Sequence, residues 1–128
     1  MNFEVGVEGR FTASHHLLGD FGPARELHAH EYRVQISVSG DRLKDDGTLF
    51  DITRLQQAMA EVIADIDGTK LNDLPDAQLA RPNPTAEVMA RFFFDRVAPK
   101  LADQGLARLE ARVWESPEAF AGYSGDLA

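Results

Sequence analysis

A chain of 128 residues, 44% hydrophobic and 27% charged, with 10 glycines and 6 prolines, has room for one core and the make-up of an ordinary globular domain, which excludes a fibrous or mainly disordered organisation. Twenty-one acidic residues against 13 basic ones leave a net charge of −8, which repels a phosphate backbone, so nucleic acid is not an expected partner. No cysteine is present, and this excludes disulfides, thiolate metal sites and cysteine nucleophiles together. The apolar stretches fall far short of a bilayer span and the start Met1-Asn2-Phe3-Glu4 lacks the features of an export signal. The expectation is one cytoplasmic domain over residues 1–128 that needs no membrane.

From Phe3 the odd positions Phe3, Val5, Val7, Phe11 and Ala13 are apolar and lead to His15, while Glu4, Glu8, Arg10 and Thr12 lie between them, as in a half-buried strand. The alternation returns with His28, His30, Tyr32, Val34, Ile36 and Val38 on one face and ends at Gly40. Residues 17–27, with Gly19, Gly22 and Pro23, are too many for a tight hairpin and form a surface loop of the kind that borders sites. After the Asp46-Gly47 turn, Asp51 caps a helix with Ile52, Leu55, Met59, Val62, Ile63 and Ile66 at helical spacing, which stops near Gly68. A second helix follows Pro84, with Thr85 as N-cap, Glu87 in the first turn, and Val88, Met89, Phe92, Phe93 and Val97 buried; Pro99 kinks or ends it. Ala107, Leu109, Ala111, Val113 and Glu115 then alternate as a third strand, and a short strand over residues 120–123 closes the sheet. The fold class is α+β: an antiparallel sheet with two helices on one face.

All four histidines lie between positions 15 and 30, and His15, His28 and His30 continue the apolar faces of their strands. Side chains two apart on a strand point the same way, so His28 and His30 share a face, and His15 meets them if the two strands pair. Three neutral imidazoles suit Zn²⁺ and leave a fourth position for water or a substrate oxygen. The plainer reading is three histidines near a sheet end, satisfied by carbonyls or water. His16 falls on the opposite face, toward solvent. Glu115 stands where the next inner-face hydrophobic belongs, and a buried carboxylate needs a partner. Either it takes two donors on one edge of a ligand, or it marks the solvated strand end before Ser116-Pro117.

The combination Phe11-Thr-Ala13-Ser-His15, Leu27-His28-Ala29-His30-Glu31-Tyr32, Gly47 to Asp51, Asp67, Leu71-Asn72-Asp73, Asn83-Pro84-Thr85-Ala-Glu87 and Glu115 resembles the 6-pyruvoyltetrahydropterin synthase and 6-carboxytetrahydropterin synthase family. The resemblance covers nearly the whole chain. It implies the tunnelling fold, in which subunits join their sheets into a barrel as a homo-oligomer, a trimer or hexamer, with sites at subunit interfaces and a pterin-like ligand. It implies zinc held by His15, His28 and His30, a pterin ring anchored by Glu115, and Thr85 and Glu87 framing the pocket. Two departures stand out. The family's cysteine, four residues before the first His of the HxH pair, is Ala24, and its Asp-His pair is Asp67-Gly68. Neither Ala24 nor Gly68 can move a proton, whereas such residues contribute roughly 10²- to 10⁴-fold in catalysis. Glu26 in the loop is the candidate surrogate base, against the plainer reading of a solvated carboxylate; Arg25 in the same loop and Asp67 acting alone are the other candidates. The expected activity is a metal-dependent lyase on a dihydroneopterin triphosphate-like substrate, poor or inactive in the standard reaction. The alternative is a non-catalytic protein that binds a pterin- or purine-like ligand.

Overall fold

The computed structural model describes residues 1–75 and 77–127. Four strands, β1 (Phe3–His15), β2 (His28–Gly40), β3 (Arg108–Ser116) and β4 (Ala119–Asp126), form one antiparallel sheet in the order β1-β2-β3-β4. Between β2 and β3 the chain leaves the sheet through α1 (Ile52–Ile66), a single turn α2 (Ala77–Ala80) and α3 (Ala86–Val97). The two long helices cover one face, as the alternation of the strands requires. Phe11, Tyr32, Val34, Ile36, Val38, Leu109, Ala111 and Val113 point under them and are buried. Gly9 lies on this face, and a Cβ there would sit 2.7 Å from Ile63 Cδ1 and 2.9 Å from Met59 Cε. The glycine lets α1 close on β1.

Local chemistry sets the boundaries of the elements. Asp51 caps α1 by accepting from Thr53 N at 2.9 Å, and Thr85 caps α3 through its Oγ1, which accepts from Val88 N at 3.2 Å. Pro99 ends α3, because the chain tightens into a 3₁₀ turn over Ala98–Leu101. Three expectations need correction. Ile52 is 49% exposed, in the first turn of α1. The last strand runs over Ala119–Asp126 rather than four residues, pairing with β3 along its whole length. Val88, expected in the buried set of α3, is half-buried and packs against the core from its margin.

The β1–β2 ladder is the longest, with thirteen paired positions from Phe3↔Gly40 to His15↔His28. The β2–β3 ladder is shorter and begins only at Arg33↔Trp114. Beyond it, a bulge between Trp114 and Ser116 bends β3 away. The sheet therefore forks at the end where the histidines lie.

Candidate metal and ligand site

In the β1–β2 register His15 faces His28 directly and Ala13 faces His30, which puts the three imidazoles on the helix side of the sheet as one group. One nitrogen from each lies within 4.8 Å of the others, and the ring centroids are 4.5, 4.8 and 5.2 Å apart. His15 is 1% exposed; His28 and His30 are half-buried.

Backbone carbonyls orient two of the rings. His15 Nδ1 lies 2.8 Å from the Pro84 carbonyl and His28 Nδ1 lies 2.7 Å from the Glu26 carbonyl. A carbonyl only accepts, so both rings carry a proton on Nδ1, which leaves Nε2 as the atom that can face a metal. His15 Nε2 is buried without a hydrogen-bond partner among the described residues. Burial holds the His15 pKa below its ordinary 6.5, against the opposing effect of the Pro84 bond, so the ring is neutral at pH 7. A neutral His15 with an orphaned lone pair at the centre, and Nδ1–H bonds to carbonyls, are the arrangement that imidazole metal sites use, and the donor set fits Zn²⁺.

The strand after the second ligand supplies Tyr32, which is fully buried. Its ring stacks on Phe11 at 5.0 Å and meets His30 edge-on at 5.4 Å. Its hydroxyl is buried without a partner among the described residues, and burial, with the Glu115 charge second, pushes its pKa far above the usual range. Glu115 lies in the bulge of β3, half-buried, at the residue after the Arg33↔Trp114 pair. Its charge acts on both His15 and Tyr32. Inner-face alternation pointed to this end of the sheet, and the bulge turns Glu115 into a cleft of about 520 Å³ that His30 and Trp114 also line.

The other expected residues stand farther out. Thr85 is half-buried and spends its hydroxyl on the α3 cap, next to the Pro84 carbonyl that holds His15; Glu87 is exposed on the first turn. Asp67 is exposed, and its Oδ1 accepts from Thr12 N at 3.0 Å while Gly68 N donates to Thr12 O at 2.6 Å. The carboxylate thus ties the end of α1 to β1, three residues before His15. Glu26 serves His28 through its backbone, and its side chain is exposed.

Two asparagines that alternation could not assign prove central to the local architecture. Asn72 accepts from His16 N at 2.9 Å and donates to His16 O at 3.0 Å; Asn83 accepts from Leu18 N at 2.7 Å and donates to Leu18 O at 3.0 Å. Each side-chain amide copies a β-bridge, and together they fix residues 16–18 beside the imidazoles. The signal was present in the Leu71-Asn72-Asp73 and Asn83-Pro84-Thr85 motifs, but their partners lie 56 and 65 residues away.

A four-stranded antiparallel sheet backed by two helices, with its polar cluster at the forked end, defines a protein of the tunnelling fold. Solved structures agree. The 6-pyruvoyl tetrahydropterin synthase of Caenorhabditis elegans superposes with a TM-score of 0.81 at 20% identity, covering 98% of this chain and 96% of that one. The Plasmodium falciparum enzyme of the same name gives 0.80 at 20% identity, covering 98% of both chains. The sequence narrows the class to a family. The family model for 6-pyruvoyl tetrahydropterin synthase matches residues 4–126, and the chain belongs to that family. Among curated relatives, the 6-carboxy-5,6,7,8-tetrahydropterin synthase of Bacillus subtilis is 31% identical over 95% of this chain and 85% of its own. That of Haemophilus influenzae is 29% identical over 94% and 98%.

Proposed function

We propose that this chain binds a pterin-type ligand at the fork and is a zinc-dependent carbon–oxygen lyase by descent, acting on a dihydroneopterin triphosphate-like substrate. The observation that carries the reading is the three-histidine cluster with its orphaned His15 Nε2 and carbonyl-fixed rings. His15, His28 and His30 would hold the metal, and bound Zn²⁺ supplies Lewis-acid polarisation of a ligand oxygen. Glu115, half-buried in the bulge, presents a carboxylate edge that suits the paired N–H groups of a cyclic guanidine. To Thr85 and Glu87, at the start of α3 next to the Pro84 carbonyl that holds His15, we assign the framing of the pocket on that side.

Proton transfer is where this chain departs from the family pattern that its motifs resemble. Ala24 and Gly68 carry no titratable group, Asp67 is committed to Thr12, and Glu26 is the exposed carboxylate nearest in sequence to the HxH pair. We therefore assign it weak or absent standard synthase turnover, with Glu26 and Asp67 as the remaining proton acceptors. The second reading, a ligand-binding protein without lyase chemistry, is favoured by the same two positions.

The assembly belongs to this proposal. β1 and β4 leave the two outer edges of the sheet, and segment 68–70 covers only the His15 end of the first. Unpaired edges invite pairing with a second copy, and subunits joined edge to edge would close a barrel as a trimer or hexamer. A monomer in light scattering would count against that closure.

The test incubates the zinc-supplemented protein with dihydroneopterin triphosphate and follows triphosphate release together with pterin products. Turnover that a chelator abolishes supports the lyase, and loss of that turnover in Glu26→Gln assigns the base. Binding without turnover supports the second reading, and neither binding nor turnover overturns both.

A further inference from the structure

The cleft at the fork lies on the face of the sheet opposite the two long helices and takes in His30 and Glu115. On that outer face β1 and β2 place Arg10 and Arg33 directly opposite each other. Like charges in that position repel, and an unrelieved pair is unexpected in a sheet. Carboxylates relieve it only loosely. Arg10 Nη1 lies 3.4 Å from Glu31 with both side chains about two-thirds exposed, and Arg33 Nη1 lies 3.8 Å from Glu8, beyond hydrogen-bond reach. The next arginine across the same face, Arg112, makes a 2.7 Å contact to Glu110. Arg33 instead lies over the Trp114 ring, Cζ 4.1 Å from its centroid. Stacking uses the face of a guanidinium and fixes its plane, leaving the N–H edge for an anion.

Both arginines and Trp114 line the cleft of about 520 Å³ that also holds His30 and Glu115. We infer that Arg10 and Arg33 form an anion subsite, which takes the phosphate or phosphoanhydride group of a ligand whose ring is anchored at Glu115. Two guanidiniums across one strand gap match a chain of phosphate oxygens, which accept paired N–H donors. The net charge of −8 does not oppose this, because recognition is local to the two guanidiniums and charges farther off than about 10 Å are screened at ordinary ionic strength. Glu31 competes for Arg10 in the free protein and swings aside when the anion enters. The inference deepens the pterin reading and rests on it for the ring, though not for the anion.

The experiment titrates metal-free, full-length protein with inorganic triphosphate by calorimetry at low salt, and separately with neopterin, which carries no phosphate. Arg10→Gln and Arg33→Gln should each weaken triphosphate binding about ten- to hundredfold, as loss of a charge-assisted bond does, and leave neopterin binding unchanged. Glu31→Gln, which removes the competitor and no cation, should tighten triphosphate binding, and this arm holds even where an arginine variant folds poorly. Triphosphate that does not bind the parent protein, or binds the arginine variants equally well, overturns the inference. Neopterin that fails to bind while triphosphate still requires Arg10 and Arg33 overturns the pterin reading and leaves the anion subsite standing.

Discussion

Tyr32→Phe should stabilise the protein. The ring is fully buried, stacked on Phe11 at 5.0 Å and packed edge-on against His30 at 5.4 Å, and its hydroxyl has no hydrogen-bond partner among the described residues. A buried hydroxyl without a partner costs about 1–3 kcal/mol, and phenylalanine keeps every ring contact while removing it. The space left by one oxygen is smaller than a methyl group and returns less than about 1 kcal/mol of that gain. The net expectation is a gain of about 1 kcal/mol, or about 3–5 °C in midpoint for a domain of this size. Urea unfolding of the chelator-treated protein, at one fixed concentration so that assembly does not shift the midpoint, measures it. A loss of stability by 1 kcal/mol or more, on the order of one buried hydrogen bond, would refute the reasoning by showing that the hydroxyl has a partner. A polar atom kept at such a cost, two residues from His30, is where stability and function pull apart.

Burial lowers the His15 pKa below 6.5, so the unfolded chain takes up this proton before the folded one does. Metal-free stability should therefore be whole above about pH 6.5 and fall on acidification, by at most about 1.4 kcal/mol per pH unit from this group; the difference between parent and His15→Gln urea midpoints across pH 5–8 isolates it. His28→Ala or His30→Ala should reduce Zn²⁺ affinity by more than about 100-fold in a chelator competition, exceeding what an outer hydrogen-bond partner contributes, whereas His16→Ala should leave it unchanged. Asn72→Ala and Asn83→Ala should each cost about 1–2 kcal/mol in urea unfolding, and the double variant less than their sum, since both clamps hold residues 16–18. An additive double variant would mean the two ends of that segment are held independently.

Strand alternation carried the sequence reading furthest. It placed His15, His28 and His30 on one face, because a period of two leaves a histidine at an apolar position no other direction to point, and the β1–β2 register then brought them together. Capping chemistry located the starts of α1 and α3 for the same reason: Asp51 and Thr85 act on residues two and three positions away. Features that depend on distant partners were not legible. Asn72 and Asn83 sit in turns without periodicity, and their roles exist only once β1 lies beside them. Glu115 was legible as an anomaly on an inner face, but the bulge that exposes it toward His30 arises from the pairing of β3 with β4. The last strand was read too short because β4 is an edge strand with little burial on either face, so no alternation marks its length.

The paired asparagine clamps also divide the loop after β1 by time scale. In heavy water the amides of His16 and Leu18, each held by a side-chain oxygen at 2.9 and 2.7 Å, should exchange with the slowness of ladder amides although they lie outside the sheet. The tip around Gly19 and Asp20 lies past the second clamp, so it should open without disturbing what precedes it. Deuterium should enter the loop from its tip, and the approach to the imidazoles should be the last part of it to become labelled.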